Sequence, residues 1–142
     1  MDSLPEARIA ANMPLITRLF ASDRLEDTIA ALEADDSDWA RSELATIRSK
    51  SPLSCKVSLR LLAEGASRSS FAEEMRAEYA LAGRSVRTHD FREGVRALLI
   101  DKDNNPHWDP PTPEQVDDEM LDILFEPLPR HEQWNPFPET GE

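Results

Sequence analysis

The chain has 142 residues, 28 acidic and 16 basic, giving a formal net charge of −12 alongside 39% hydrophobic side chains. That length fits one domain and allows roughly 68 to 70% of the unfolded surface to be buried, which excludes disorder throughout. Only four glycines occur, too few for the turns of a sandwich or barrel, and no stretch nears the roughly 20 apolar residues of a membrane span, so an all-α class is expected.

In chain order, Met1 to Glu6 lack the basic flank and apolar run of a secretory signal. With a single cysteine, Cys55, the expected setting is reducing and cytoplasmic. Asn12 followed by Pro14 predicts a helix through Phe20, with Leu15, Leu19 and Phe20 on one face. Asp23 and Glu26 stand at capping-box spacing ahead of Leu25, Ile29 and Leu32, which predicts a second helix. Asp36-Ser37-Asp38 interrupts it, and Trp39, Leu44 and Ile47 mark a third, ending near Lys50.

Ser51-Pro52 is the strongest start signal in the chain. A serine oxygen accepts from the first free backbone N–H groups, and proline suits the first helical position. Two apolar stripes follow, Leu53, Val57, Leu61 and Cys55, Leu59, Leu62, so this helix is expected to be covered on both sides. Gly65 is expected to end it in a left-handed turn. Ser70 and Glu73 form another box before Phe71, Met75, Tyr79 and Ala82, an expected inward stripe running to about Arg84. Thr88 or Asp90 caps the next helix, with Phe91, Val95, Leu98 and Leu99 inward.

Eight of the eleven prolines lie from Pro106 onward, so an irregular strap is expected there. Thr112-Pro113-Glu114-Gln115 carries a cap, a first-turn proline and a box glutamine, and predicts a helix over Val116, Met120, Ile123 and Leu124. The expected organisation is a helical domain over residues 1–128 and a proline-rich, mobile tail over 129–142, in which Trp134 and Phe137 are the residues able to dock.

Most chemical signatures are absent. The sequence has no glycine-rich phosphate loop, no Gly-x-Ser-x-Gly and no His-Glu-x-x-His. Asp101-Lys102-Asp103-Asn104-Asn105 begins like a calcium loop, but Pro106 stands where glycine is required and Thr112 where a bidentate glutamate belongs, so no metal site is assigned. Cys55 reads as a small buried hydrophobe. His89 beside Asp90 reads either as a general base or as part of a cap.

Charge is uneven. Residues 41–102 hold 12 basic against 8 acidic side chains, and the flanks hold 4 against 20. The acidic flanks argue against nucleic acid, while the centre suits a small anion. Arg92 and Arg96 are one helical turn apart, close in sequence to Arg87 and Lys102, and so could meet a phosphate together. Equally, Asp90 and Glu93 could neutralise them.

The stretch His89-Asp90-Phe91-Arg92-Glu93-Gly94-Val95-Arg96-Ala97-Leu98-Leu99-Ile100-Asp101-Lys102-Asp103, followed by Pro106 and Trp108-Asp109-Pro110, resembles the C-terminal part of 3-hydroxyisobutyryl-CoA hydrolases, a branch of the crotonase (enoyl-CoA hydratase/isomerase) superfamily. Ser51-Pro52-Leu53-Ser54 with Lys56, Leu59, Arg60 and Glu64-Gly65 is similar to the family's preceding helix, as is Asp23 through Ala34 to the one before it. The resemblance covers most of residues 5–126.

It implies the helical C-terminal portion of a crotonase-type fold, without the N-terminal α/β spiral core that holds the family's oxyanion donors and carboxylates. No catalytic residue is therefore assigned, and this chain alone is expected to be inactive. The implied activity of the whole enzyme is metal-free hydrolysis of a coenzyme A thioester in valine breakdown, with no cofactor beyond the coenzyme A of the substrate. The implied partners are a crotonase core, in the same chain or a separate subunit, and the acyl-CoA itself. Lys102 falls at or near the lysine that crotonases set against coenzyme A phosphates, and Arg92 and Arg96 are added to it here as candidate phosphate contacts. The family's aromatic partner for adenine is not evident, the nearby positions being Ala82 and Gly83. A free-standing helical interaction module is the alternative. In either case a face lacking its partner is expected to drive self-association.

Overall fold

A computed structural model describes residues 8–134. Among these the chain is helical, with no strand, and it divides into two compact units, one ending at Ser49 and one beginning at Lys50.

The first unit holds α1 (Arg8–Leu19), α2 (Leu25–Glu33) and α3 (Asp38–Arg48). Leu19, Leu32 and Ala40 are buried at its centre, with Leu15, Trp39, Leu44 and Ile47 packed around them, so the inward positions expected for α1 and α3 close on one another. Two local expectations fail. The first helix does not open at Asn12-Pro14: it starts at Arg8 and carries Pro14 inside, where the missing N–H leaves the Ala10 carbonyl without its helical donor. The Leu15–Leu19 stripe, packed in the core, sets the helix register there. Nor does Asp23 cap α2. Arg24 holds that position without a side-chain bond, and Ser22 closes the turn by accepting from Arg24 N–H at 3.1 Å and donating to Asp27 at 2.9 Å.

Ser37 caps α3, accepting from Ala40 N–H at 3.1 Å, an interaction worth about 1 kcal/mol. Asp35 precedes it. The Ser37 hydroxyl and backbone N–H, and then Arg18, hold its carboxyl down at about 2.

The second unit holds α4 (Pro52–Gly65), α5 (Phe71–Ser85), α6 (His89–Val95) and α7 (Asp118–Phe125). α7 packs on α4 and α5. Ser51 caps α4, taking Ser54 N–H at 3.0 Å, Ser70 caps α5 and Thr88 caps α6. The carboxylate of Glu73 turns back over the start of the helix, accepting from the Ser69 N–H at 3.2 Å and hydroxyl at 2.9 Å and lying on the Ser70 N–H as the expected box requires.

Gly65 is not left-handed. It is the last residue of α4, and a Cβ there would lie 3.2 Å from the Glu74 carboxylate, so its role is to admit that side chain. Glu74 then accepts from Arg68 at 2.7 Å, Arg68 and Arg60 both donate to Glu64, and Arg60 reaches Asp122 while lying 4.5 Å over the Phe125 ring. This ladder ties α4, α5 and α7 together by pairs worth at most about 1 kcal/mol each.

The helix expected from Thr112 starts later. Pro113–Gln115 makes one 3₁₀ turn, Val116 is extended and buried, and α7 begins at Asp118 under the Asp117 cap. The Lys56 ammonium donates to the Val116 carbonyl at 2.9 Å, a bond made across 60 residues that holds this backbone out of a helix.

Several expected inward residues are exposed. On α4, Leu62 is 73% exposed, and on α5 Phe71 and Tyr79 lie open while Ala80 and Leu81 are buried. On α6 Phe91 lies open, and beyond Val95 Ala97 is buried while Leu98, Leu99 and Ile100 are not. Trp134 lies 5.7 Å from Tyr79 and Arg84 donates to the Glu126 carbonyl, so the start of the expected tail lies on α5. Phe137 lies outside the described residues.

Candidate functional site

The candidate residues sit where α6 runs into the strap. Thr88 accepts from Phe91 N–H at 3.2 Å and so settles the choice of cap. Asp90 is in the first turn, 4% exposed, accepting from the Ser51 hydroxyl and, at 2.8 Å, from Asp109 N–H. One buried carboxylate therefore joins the start of α4, the start of α6 and the strap. Gly94 faces the strap too: a Cβ there would meet the Trp108 ring at 3.4 Å, so the indole packs directly on α6.

After Val95 the helix widens into a π turn, Arg96–Ile100, in which Asp101 N–H reaches back five residues to the Arg96 carbonyl at 2.8 Å. The chain then reverses. Lys102 and Asn104 are both left-handed, at φ 56° and 52°, and Asn104 N–H returns to the Ala97 carbonyl at 3.1 Å. For asparagine this conformation is ordinary, but for lysine it costs on the order of 1 kcal/mol, so something must hold it.

Arg96 does. Its Nε and Nη2 donate to the two Glu93 oxygens at 2.9 and 2.8 Å, Nη1 to Asp101 at 2.7 Å and Asp103 at 2.6 Å, and Nη2 again to the Asn105 carbonyl at 3.2 Å. A guanidinium has five N–H donors, and five bonds are made. Arg96 was expected to meet a phosphate, and in the structure its five donors are taken up within the turn instead. Glu93 also accepts from His107 N–H at 2.8 Å, and Arg96 first, then that backbone bond, keep its carboxyl at about 2. The same guanidinium, followed by Asn105 N–H, lowers Asp103, while Glu93, Asp103 and Asp101 raise Arg96 in return.

Lys102, between the two clamped aspartates, is exposed, and its ammonium makes no ion pair among the described residues. Arg92, one turn before Arg96, is also exposed. The structure therefore separates the three expected phosphate contacts into one saturated clamp and two open cations. His89 Nε2 lies 3.0 Å from the His107 carbonyl, a contact that needs the proton on Nε2 and so leaves no base at that nitrogen. Cys55 is half-buried, and that burial pushes its thiol up, as suits a packing residue rather than a nucleophile. Sequence reasoning missed the joining role of Asp90 and the clamping role of Arg96. The spacing Glu93-x-x-Arg96 followed by Asp101-x-Asp103 is the signal that could have suggested the second.

The pattern shared by the family described as Enoyl-CoA hydratase/isomerase matches residues 1–125. The chain belongs to that family. It is 40% identical over 128 residues to the mitochondrial 3-hydroxyisobutyryl-CoA hydrolase of Gallus gallus, covering 90% of this chain and 33% of that protein, and 40% identical over 117 residues to that of Homo sapiens, covering 82% and 30%. Among solved structures it is similar to an enoyl-CoA hydratase from Rhodobacter sphaeroides, with 35% identity and a TM-score of 0.80 over 89% of this chain and 37% of that one. A carnitinyl-CoA dehydratase from Mycobacterium thermoresistibile matches with 30% identity and a TM-score of 0.81, over 89% and 36%. The chain thus spans about a third of the length of the curated relatives it matches.

Proposed function

We propose that this chain is the C-terminal helical part of a 3-hydroxyisobutyryl-CoA hydrolase-like thioesterase, covering the coenzyme A end of the substrate and supplying none of the reacting groups. The observation that carries the reading is the Lys102 turn, where an exposed ammonium stands on a hydrogen-bonded loop in a chain 40% identical to such hydrolases. A cation held there meets a phosphate without first losing much side-chain and loop freedom. Arg92 is the second candidate for that contact. The uncovered residues Phe91, Leu98, Leu99 and Ile100 support a partner, which in this reading is a crotonase core. They equally support the second reading, a free-standing interaction module, and in either case they favour self-association when no partner is present.

The test is an assay of Lys102→Ala in the enzyme containing the whole core. Phosphate binding is remote from the scissile carbonyl, so KM for the acyl-CoA is expected to rise by roughly tenfold with kcat nearly unchanged. An unaltered KM overturns the phosphate role. The purified 142-residue chain, given a thioester and a thiol reagent, is expected to release no thiol above background. Hydrolysis by the chain alone would overturn the division of labour.

A further inference from the structure

We infer that Arg96 is the positioning residue that makes Lys102 able to bind a phosphate, by fixing the loop and by withdrawing three carboxylates from it. The inference rests on the phosphate reading of Lys102 given above. Its geometry is local. Lys102 lies between Asp101 and Asp103, and both carboxylates are turned onto Arg96 at 2.7 and 2.6 Å. Glu93, the third, takes two of the remaining donors, and the fifth fastens the Asn105 carbonyl.

Without the guanidinium, the carboxylates of Asp101, Asp103 and Glu93 lose the cation that neutralises them, and two of the three flank Lys102 in the chain. The two aspartates are adjacent in sequence to the ammonium and become free to pair with it, and all three repel an incoming phosphate. The left-handed backbone at Lys102 loses five bonds that brace it at the same time, and keeps those that do not use the Arg96 side chain: Asp101 N–H to Arg96 O, Asn104 N–H to Ala97 O, Asn104 Nδ2 to Lys102 O, Asn105 N–H to Asp103 and His107 N–H to Glu93. Removing Arg96 therefore harms binding more than removing Lys102 does, because it replaces a lost attraction with a repulsion. The arginine is also not exchangeable for lysine. Lys has three donors on one atom and cannot span Glu93, both aspartates and a carbonyl.

The experiment compares coenzyme A with pantetheine, which lacks the phosphates, by calorimetry on the full chain. The wild type is expected to prefer coenzyme A. Lys102→Ala reduces that preference by roughly tenfold, the worth of one charge-assisted bond, and Arg96→Gln reduces it further. Arg96→Lys restores part of the loss, and adding Asp101→Asn and Asp103→Asn to Arg96→Gln restores part as well, because the unmasked charge is gone. Amide exchange provides a readout free of ligand: Asn104 N–H, bonded to Ala97 in the turn, is expected to exchange faster in Arg96→Gln and not in Lys102→Ala. If Lys102→Ala loses the preference while Arg96→Gln keeps it, or Asn104 exchange is unaltered, the clamp is overturned and the phosphate reading stands. If the wild type shows no preference, or Lys102→Ala leaves it intact, the phosphate reading falls and this inference with it.

Discussion

The first unit and the α6 strap region achieve order by opposite means. In the first, three helices close on Leu19, Leu32 and Ala40, and Leu32 is only 1% exposed. In the second, Leu98, Leu99 and Ile100 remain outside, and the chain is shaped by Asp90, Glu93 and Arg96 acting on backbone and carboxylate groups. Apolar packing is non-directional and tolerates adjustment, whereas a set of five donors fixes a loop to within a fraction of an ångström. The contrast suits the two tasks: a scaffold needs stability, and a turn that presents one cation needs shape.

The sharpest way to break this contrast is to attack the apolar side. Leu32→Ala is expected to cost about 2 to 5 kcal/mol, read from denaturant unfolding followed by Trp39 fluorescence, because it removes the most deeply buried large side chain. A loss under 1 kcal/mol would mean the first unit does not depend on its core. Next comes Asp90→Ala, which strands the Ser51 hydroxyl and Asp109 N–H and is expected to cost about 1 to 3 kcal/mol. A double-mutant cycle with Ser51→Ala would show coupling, and additivity would refute the joining role. Smallest is an acid effect. Glu93 is held at about 2 against an ordinary 4.5, so its contribution is fully present above the ordinary value and lost as pH falls toward 2. Between those limits Tm should fall more steeply in the wild type than in Glu93→Gln, and parallel curves would show that the clamp adds nothing to stability.

What was legible in the sequence was local chemistry. Ser51-Pro52, Ser70 and Thr88 were readable as helix starts because a cap is made within three or four residues. The stripe Leu15, Leu19 was readable because helical period puts both residues on one side, and in the first unit that side is covered. What was not legible depends on distant partners. Thr112-Pro113 carries every local sign of a helix start and still yields a single 3₁₀ turn, since Lys56 takes the Val116 carbonyl. Gly65 looks like a helix stop and is a place for Glu74 to fit. Phe71 and Tyr79 have the spacing of a buried face and stay open, because periodicity says which residues share a side of a helix and not whether anything covers it. At the site, Arg92 and Arg96 were singled out from charge and spacing, and Lys102 from the family resemblance. Their separation into a clamp and two open cations required knowing where all five donors of Arg96 go.

The π turn has a consequence for how this motif tolerates change in length. It accommodates one residue more than an α-helical turn between Arg96 and Asp101, so a single deletion among Leu98, Leu99 and Ile100 would turn the bond from Asp101 N–H to the Arg96 carbonyl into an ordinary α-helical one between the same two groups. Asp101 and Asp103 would keep their place beside the guanidinium, and Lys102 its place between them. The bulge is slack in the helix that can be taken up without redirecting Lys102.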